Sequence, residues 1–536
     1  MSAAIPTDEP SSPPRQAWVH RWGEVLLIVL VFFTIAGDPP PAVNEPHYLC
    51  RLKHFWNPTW CQGDLFLDST DTQVVFIWTF GWITRWLSLS ATAWVGRILA
   101  WTLLAWAWQR LSWRLAPRTL AAVLSAALWV TLTNIAHLAG EWVVGGVEAK
   151  CFAYAFVLFA LGDVVARKWN RAWLLLGAAC AFHPLVGGWS ALVCAGIWLV
   201  NDRRDVAIRE MIPGAVGGAL LALIGIVPAV ALTWNEPAEI VAEANRIYVF
   251  ERLPHHLALL HLPPEEVKTR LLRHGILIAV LWILSRAARH VPSAGLRRIS
   301  HFGWGAALLA LTGLMIELAL WNQPILAAAV LKYYWFRLTD VAVPLAVALY
   351  AVAIIAAGIE SRRLWSVCAL TAALALVGWH LISISVTRYA NPIPPADARM
   401  QDFAAWVDAC DWIAANTPED ALFLTPRGAH SFKWRTGRPE VATRKDIPQD
   451  ARSMVEWYRR LREIHGDDRD GSLTTMEPSD DPATARLRRM AEKYGVDYIL
   501  AEQRRPLGLK VVYPNREHAN EAYVVYRVDR NADDGE

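Results

Sequence analysis

Between residues 17 and 386 the chain returns repeatedly to apolar runs, and Lys and Arg gather after alternate ones. A bilayer core offers backbone amides no outside partner, so such a chain must cross it as helices that satisfy themselves. Each crossing takes roughly 20 residues, and cationic loops stay on the cytoplasmic side. Together these rules predict eleven spans: 17–37, 95–113, 119–138, 151–166, 172–187, 188–200, 211–234, 275–285, 302–321, 336–358 and 364–386. Arg114, Arg118, Arg167, Lys168, Arg171, Arg203, Arg204, Arg209, Arg286, Arg289, Arg297, Arg298, Arg362 and Arg363 then face the cytoplasm. The odd count leaves the N-terminus inside and the C-terminus outside. The run 72–90 is apolar enough to pass for another span, but counting it would turn Arg110, Arg114 and Arg118 outward. It is expected instead to lie along the outer interface. The expected fold is an α-helical polytopic membrane protein.

Composition supports that class. Of 536 residues, 54% are hydrophobic, which a soluble protein of this length rarely shows. A net charge of +3 argues against a nucleic-acid partner. The 29 Trp residues fit interfacial belts, and also stacking against sugar faces. Residues 1–16 are Pro/Ser-rich and are expected to be a disordered tail. The first span has a short apolar centre, as a signal peptide would, but no A-x-A site follows, so an uncleaved anchor is expected.

The first outer loop, 38–96, carries the densest chemistry. Pro39, Pro40 and Pro41 stop the preceding helix. Asn44-Glu45-Pro46-His47-Tyr48 then places a carboxylate, an imidazole and a phenol within four residues, and Asp64 is the next acid of interest. Cys50 and Cys61 share this loop and are expected to pair if it faces an oxidising compartment. No CxxC occurs, so no zinc or thioredoxin-like motif is indicated. A divalent metal is compatible with Glu45, His47 and Asp64, though no spacing demands one.

The predicted topology also brings Glu148, Lys150, His183, Arg337 and Asp340 to the outer side. Ionisable groups near spans cost roughly 2.5–3.5 kcal/mol each and tend to mark function. Each has a plainer reading as well. Lys150 is a solvated interfacial cation, His183-Pro184 a helix break, and Arg337 and Asp340, three apart on one helix face, neutralise each other. In the sharper reading, Arg337 binds a lipid phosphate.

From Pro395 the composition becomes that of a soluble domain. Helices are expected over 398–416 and 451–465, strands over 421–425, 496–501, 509–513 and 523–528, and a charged loop over 467–483. This gives a small extracytoplasmic α/β unit over 396–536, beyond a transmembrane domain over 17–390.

A first span, a long acidic outer loop, many further spans and an outer C-terminal domain resemble the GT-C superfamily of membrane glycosyltransferases. The motif-level likeness is an outer-loop acid, Glu45, followed by a span opening on Arg97 in Val95-Gly96-Arg97-Ile98-Leu99. Family members usually carry Asp-Glu, Asp-Asp or Glu-x-Asp where this chain has Asn44-Glu45. The segments NTPEDALFLTP, WRTGRPEVATRKDIP and VEWYRRL resemble bacterial polytopic proteins whose outer domain has no assigned activity. The GT-C resemblance implies sugar transfer from a polyprenyl-phosphate donor to a glycan, lipid or protein acceptor, in a bacterial inner membrane. Glu45 would be the base, with Asp64 as the other catalytic candidate. His47, Tyr48, Glu148, Lys150, His183, Arg337 and Asp340 would hold substrate. A transporter or flippase, or a non-catalytic assembly protein, is the alternative.

Overall fold

The computed structural model describes residues 14–288, 293–466, 482–502 and 507–528. The expected tail over 1–16 lies mostly outside these residues, as do Arg289 and nearly all of the expected charged loop over 467–483.

The chain is a helical polytopic membrane protein with a small C-terminal sheet domain. Eleven long helices correspond one for one to the predicted spans. They are Pro14–Ala36, Leu89–Leu115, Ala121–Ile135, Ala149–Val165, Trp169–Phe182, Pro184–Ile197, Ile208–Ala231, Pro264–Ala287, Ala294–Ala319, Arg337–Glu360 and Leu364–Ala390. Five helical segments among the described residues are long and apolar enough to cross a membrane on those grounds alone. The expected interfacial run breaks into Val74–Thr79 and Gly81–Arg85, both too short to span. Their Trp78 and Trp82, and Trp86 just after them, are exposed.

Arg337–Glu360 is the central post: 72% of its most apolar window is buried, against 11% for Leu364–Ala390 and 17% for Ile208–Ala231. It packs on Ala121–Ile135, Pro264–Ala287, Ala294–Ala319 and Leu364–Ala390. Small residues let other spans approach closely. A Cβ on Gly214, Gly218 or Gly225 would fall within 2.5 Å of the backbone of Trp169–Phe182.

The charges sort to two ends. At one, Asp163 takes Arg110 at 2.7 Å, Arg114 at 3.3 Å and Arg171 at 3.3 Å. Beside it, Asp202 takes Arg298 at 2.5 Å and Arg167 at 3.3 Å. At the other end, Arg97 meets Glu45. Arg97 and Arg114 lie on one helix, 17 residues or about 25 Å apart. Arg114, Arg167, Arg171 and Arg298, four of the cations that fixed the predicted sidedness, are thus held together at the end opposite Glu45.

In that domain, β1 (Phe423–Leu424), β2 (Tyr498–Glu502), β3 (Lys510–Tyr513) and β4 (Tyr523–Arg527) form a sheet of order β1-β2-β4-β3. β1 and β2 run parallel; the other pairs are antiparallel. Trp406, Phe423, Phe432, Tyr513 and Tyr523 pack in one apolar cluster, and Leu424, Ile464, Leu487 and Ile499 in another. The first helix starts at Phe403 rather than at 398, because Asp402 caps it by accepting from the Ala405 amide at 2.9 Å. The domain is also seated on the membrane part. Trp457 and Leu461 of Ala451–His465 share a cluster with Ala244 and Ile247 of the 235–263 loop.

The expected Cys50–Cys61 bridge is absent: both thiols are free. They are buried with Leu49, Leu52 and Phe66, and burial raises both well above the ordinary thiol value. As un-ionised apolar fillers they lack the thiolate that disulfide chemistry needs.

The charge sorting predicts sidedness. Reporter fusions placed after Arg118 and after Arg399 should report opposite sides of the membrane. The same side for both would overturn the arrangement.

Candidate functional site

Glu45 opens the helix Glu45–Trp56, yet it does not face solvent. Arg97 grips it in a fork, Nε to Oε1 and Nη2 to Oε2, both at 2.6 Å. The Ala42 amide donates to Oε2 at 2.7 Å and the Val147 amide to Oε1 at 3.1 Å. Both partners are fully buried. Arg97 also donates to the Asp38 carbonyl at 2.6 Å, and Asp38 in turn holds Arg388 at 2.7 Å. A Cβ on Gly146 would sit 3.0 Å from the Glu45 side chain, and one on Gly96 would meet Phe80 and Val147 under 3 Å. Four donors and close-packed glycines leave no lone pair open to a substrate hydroxyl. The structure therefore assigns Glu45 a stapling task, which corrects its expected role as base.

The loop before Ala149–Val165 is held from the central post. Asp340 accepts from the amides of Leu138 at 2.5 Å, Ala139 at 2.9 Å and Glu141 at 3.0 Å. Asp340 and Arg337 do not neutralise each other, and Asp340's carboxylate is committed to positioning Glu141. Arg337 turns to Glu141 at 3.2 Å and donates to His183 Nε2 at 2.9 Å. Lys150 lies 3.6 Å from Glu141 and 3.4 Å from Glu148, and Asn44 donates to Glu148 at 2.6 Å. His183 stands at the break between Trp169–Phe182 and Pro184–Ile197, as its Pro neighbour dictates.

Asp64 is equally committed. It caps Leu65–Asp68 by accepting from Phe66 and Leu67, each at 3.1 Å. It also meets the C-terminal domain, accepting from the Glu440 amide at 3.1 Å and from Lys433 at 3.1 Å. Lys433 is shared with Glu440 at 2.5 Å and Asp446 at 2.7 Å, and all four side chains are buried. Three carboxylates around one ammonium leave excess negative charge. Burial accordingly pushes Glu440 up to about 7, against the pull of Lys433. Burial favours neutral Asp446 too, but Lys433 and His47 hold it well below its usual value.

His47 extends from this cluster, its Nδ1 3.4 Å from Asp446 Oδ1. Ionised Asp446 can only accept, so Nδ1 carries the proton and Nε2 the lone pair. Burial lowers the imidazole below its ordinary value despite Asp446, so it is neutral at neutral pH. Phe66 and Tyr48 flank the ring at 4.5 and 5.0 Å.

Beside His47 stand cations that sequence reasoning missed. Arg252 reaches the Lys445 carbonyl at 3.4 Å, and its Nε is buried without a partner. Burial and Arg444 lower Arg252, and burial, Arg427 and Arg399 lower Arg444. Burial, then Arg252, push the Lys445 ammonium down to about 7, against the opposing pull of Glu148 and Asp446. Burial and the same cations push His255 down to about 4. Among the described residues no carboxylate forms an ion pair with Arg252, Arg444 or Lys445. Unmatched cations crowded in a half-buried recess favour an anion. The available signal was the dense Arg444-Lys445-Asp446 run inside the quoted WRTGRPEVATRKDIP segment.

Of the sequence candidates, the fold joins His47 and Asp64 through Asp446 and Lys433, and joins Glu148, Lys150, His183 and Arg337 through Glu141. Glu45 stays on Arg97, apart from His47 and Asp64. No group of three or more His, Cys, Asp or Glu among the described residues is arranged to hold a metal.

Residues 404–464, which include Lys433, Glu440, Lys445 and Asp446, match a family described as a domain of unknown function (DUF6798). No curated protein matches the chain. Over 92% of its length the chain is similar to the archaeal oligosaccharyltransferase AglB from Archaeoglobus fulgidus in complex with an inhibitory peptide and a dolichol-phosphate, at 12% identity and a TM-score of 0.47, covering 70% of that chain. Over 97% it is similar to ArnT from Cupriavidus metallidurans bound to undecaprenyl phosphate, at 12% identity and a TM-score of 0.40, covering 99% of that chain.

The staple makes a definite prediction. Glu45→Gln leaves the Arg97 guanidinium buried without its counter-charge, which should cost about 3–5 kcal/mol of stability. Thermal unfolding of the detergent-solubilised protein measures it. An unchanged transition would mean that Glu45 is not a staple.

Proposed function

We propose that this chain is a membrane glycosyltransferase of the GT-C kind. It moves a sugar from a polyprenyl-phosphate donor to a glycan, lipid or protein acceptor on the side where the C-terminal domain sits. The bacterial inner membrane, with that domain outside, fits the placement of the cations. The observation that carries the reading is one juxtaposition. A neutral imidazole held by a carboxylate lies beside unmatched cations, at the ends of membrane helices.

Chemically, the bond between the anomeric carbon and the phosphate oxygen breaks, and the phosphate leaves with added negative charge. Arg252, Arg444 and Lys445 stabilise that charge, as fixed cations do where charge develops. The acceptor hydroxyl bonds to the anomeric carbon and gives its proton to His47 Nε2. Asp446 keeps the imidazole in the tautomer that can accept it and steadies the imidazolium that forms. The lipid tail lies along the apolar helices.

In a membrane-fraction assay with labelled polyprenyl-phosphate sugars, His47→Gln should lower turnover about 10²–10⁴-fold at matched expression. Full activity would remove His47 from the mechanism. Binding of the lipid without turnover in the wild type would favour a transporter or flippase, and no binding an assembly role.

The recess also predicts a pH response. Lys445 is charged below about 7 and neutral above it. Affinity for polyprenyl phosphate should hold below that value and fall as the pH rises through it. Lys445→Arg keeps its charge throughout and should flatten the fall. A wild-type affinity that does not change between pH 6 and 8.5 would count against Lys445 as an anion ligand.

A further inference from the structure

The joint between the first loop and the C-terminal domain carries charge that its contacts do not balance. Asp64, Glu440 and Asp446 all lie within 3.1 Å of the Lys433 ammonium, and all four side chains are buried. One positive charge against three negative ones leaves two in excess. Neighbouring groups do not make up the difference. On Glu45–Trp56, burial keeps His47 neutral and Cys50 un-ionised. Arg51 is taken by Asp71 at 3.5 Å, and Lys53 lies 4.6 Å over the Trp60 ring. In the loop that follows, Cys61 is un-ionised and Asp68 is taken by His54 at 3.1 Å. Within the C-terminal domain, burial keeps Cys410 un-ionised and His430 neutral, and Arg435 is bound by Asp397. Lys445 belongs to the cationic recess, where burial and Arg252 lower it to about 7.

Carboxylates this close cannot all ionise out of water, so one of them keeps a proton. Hydrogen bonding selects which. Asp64 already takes four donors: the Phe66 and Leu67 amides on Oδ1, the Glu440 amide and Lys433 on Oδ2. Asp446 takes Lys433 on Oδ2 and the His47 Nδ1 proton on Oδ1. Glu440 divides its oxygens, Oε1 to Lys433 at 2.5 Å and Oε2 to the Thr425 hydroxyl at 2.6 Å. The Thr443 hydroxyl stands farther off, 3.3 Å from Glu440 Oε1 and 3.5 Å from Asp446 Oδ2. A hydroxyl accepts as well as donates, so Glu440 Oε2 has a close partner able to receive its proton. Burial, against the pull of Lys433, raises Glu440 to about 7, in line with that choice.

We propose that the C-terminal domain docks on the membrane part by taking up one proton, which Glu440 holds against the Thr425 hydroxyl. Lifting the domain away removes the Asp64 charge and opens Glu440 to water, where a carboxyl titrates near ~4.3. The docked value is the higher one, so the stabilisation is complete below the undocked value and is lost as the pH rises to about 7. Within that window each pH unit changes the docking constant about tenfold. Asp446 of the same joint orients His47, so the proton also governs how firmly the imidazole is held.

Hydrogen exchange on the purified full chain in nanodiscs tests this. The Thr72 amide of the first loop donates to Gln449 of the C-terminal domain at 3.2 Å. Its protection, corrected for the intrinsic exchange rate at each pH, therefore reads docking. Glu440→Gln stays neutral throughout and keeps an oxygen for Lys433. Dividing wild-type protection by that of the variant cancels the other titrating groups, Lys445 and the histidines. The ratio should fall about tenfold per pH unit between about 5 and about 7 and level off above. A ratio that does not change with pH overturns the proposal, because a Glu440 ionised at every pH would differ from Gln by a constant factor. Asp64→Asn removes one of the three negative charges from the membrane side, so it decides the matter if Glu440→Gln does not fold. The wild type should lose protection relative to Asp64→Asn as the pH rises through the same window. A wild type that keeps pace with Asp64→Asn across it likewise overturns the proposal.

Discussion

Lys433 is the point on which the end of the molecule that carries the C-terminal domain turns. Its ammonium joins Asp64 of the first loop to Glu440 and Asp446 of the C-terminal domain, all out of water. Removing one partner of such a group leaves uncompensated buried charge, so the two parts are held in one register more firmly than apolar contact alone would hold them. The Glu440 amide on Asp64 and the Thr425 hydroxyl on Glu440 fix the geometry further. Because Asp446 also holds His47, docking of the C-terminal domain and orientation of the imidazole are one event. The domain has apolar clusters of its own, yet its buried lysine finds one of its three carboxylates on the membrane part.

Charge at the membrane face divides into three kinds, each with a different consequence. Glu45 with Arg97 is a closed pair, saturated by backbone amides, and serves rigidity. Glu141, Glu148, Lys150 and Arg337 balance in charge. Arg252, Arg444 and Lys445 have no matching carboxylate, so the recess is electropositive and dry enough to lower the Lys445 ammonium to about 7.

Much of the fold was legible because its rules are local. Apolar length and the placement of Lys and Arg are properties of consecutive residues, and every predicted span has its helix. The run 72–90 was separated from the spans by a charge argument alone, and it folds as two short pieces. The site was legible only in part. His47 and Asp64 stood out through composition, but their shared partners Lys433 and Asp446 lie some 370–400 positions away in sequence. Arg337 and Asp340 looked like a helical ion pair at spacing three, yet each found a better partner elsewhere. Three amides of the 138–141 loop donate to Asp340, and Glu141 meets the Arg337 guanidinium.

By itself the sequence determined the class, the run of long helices, which ends carry cations, and a sheet domain after the last of them. Each follows from periodicity, length or charge within a short window. Only the tertiary structure decided which acids are free to act. A carboxylate's role depends on the donors that surround it. For Glu45 those donors come from residues 42, 97 and 147, which nothing in the order of the chain brings together. The same reason hid the cationic recess: Arg252 and Lys445 belong to different domains, and only folding places them side by side, with no carboxylate in ion-pair contact among the described residues.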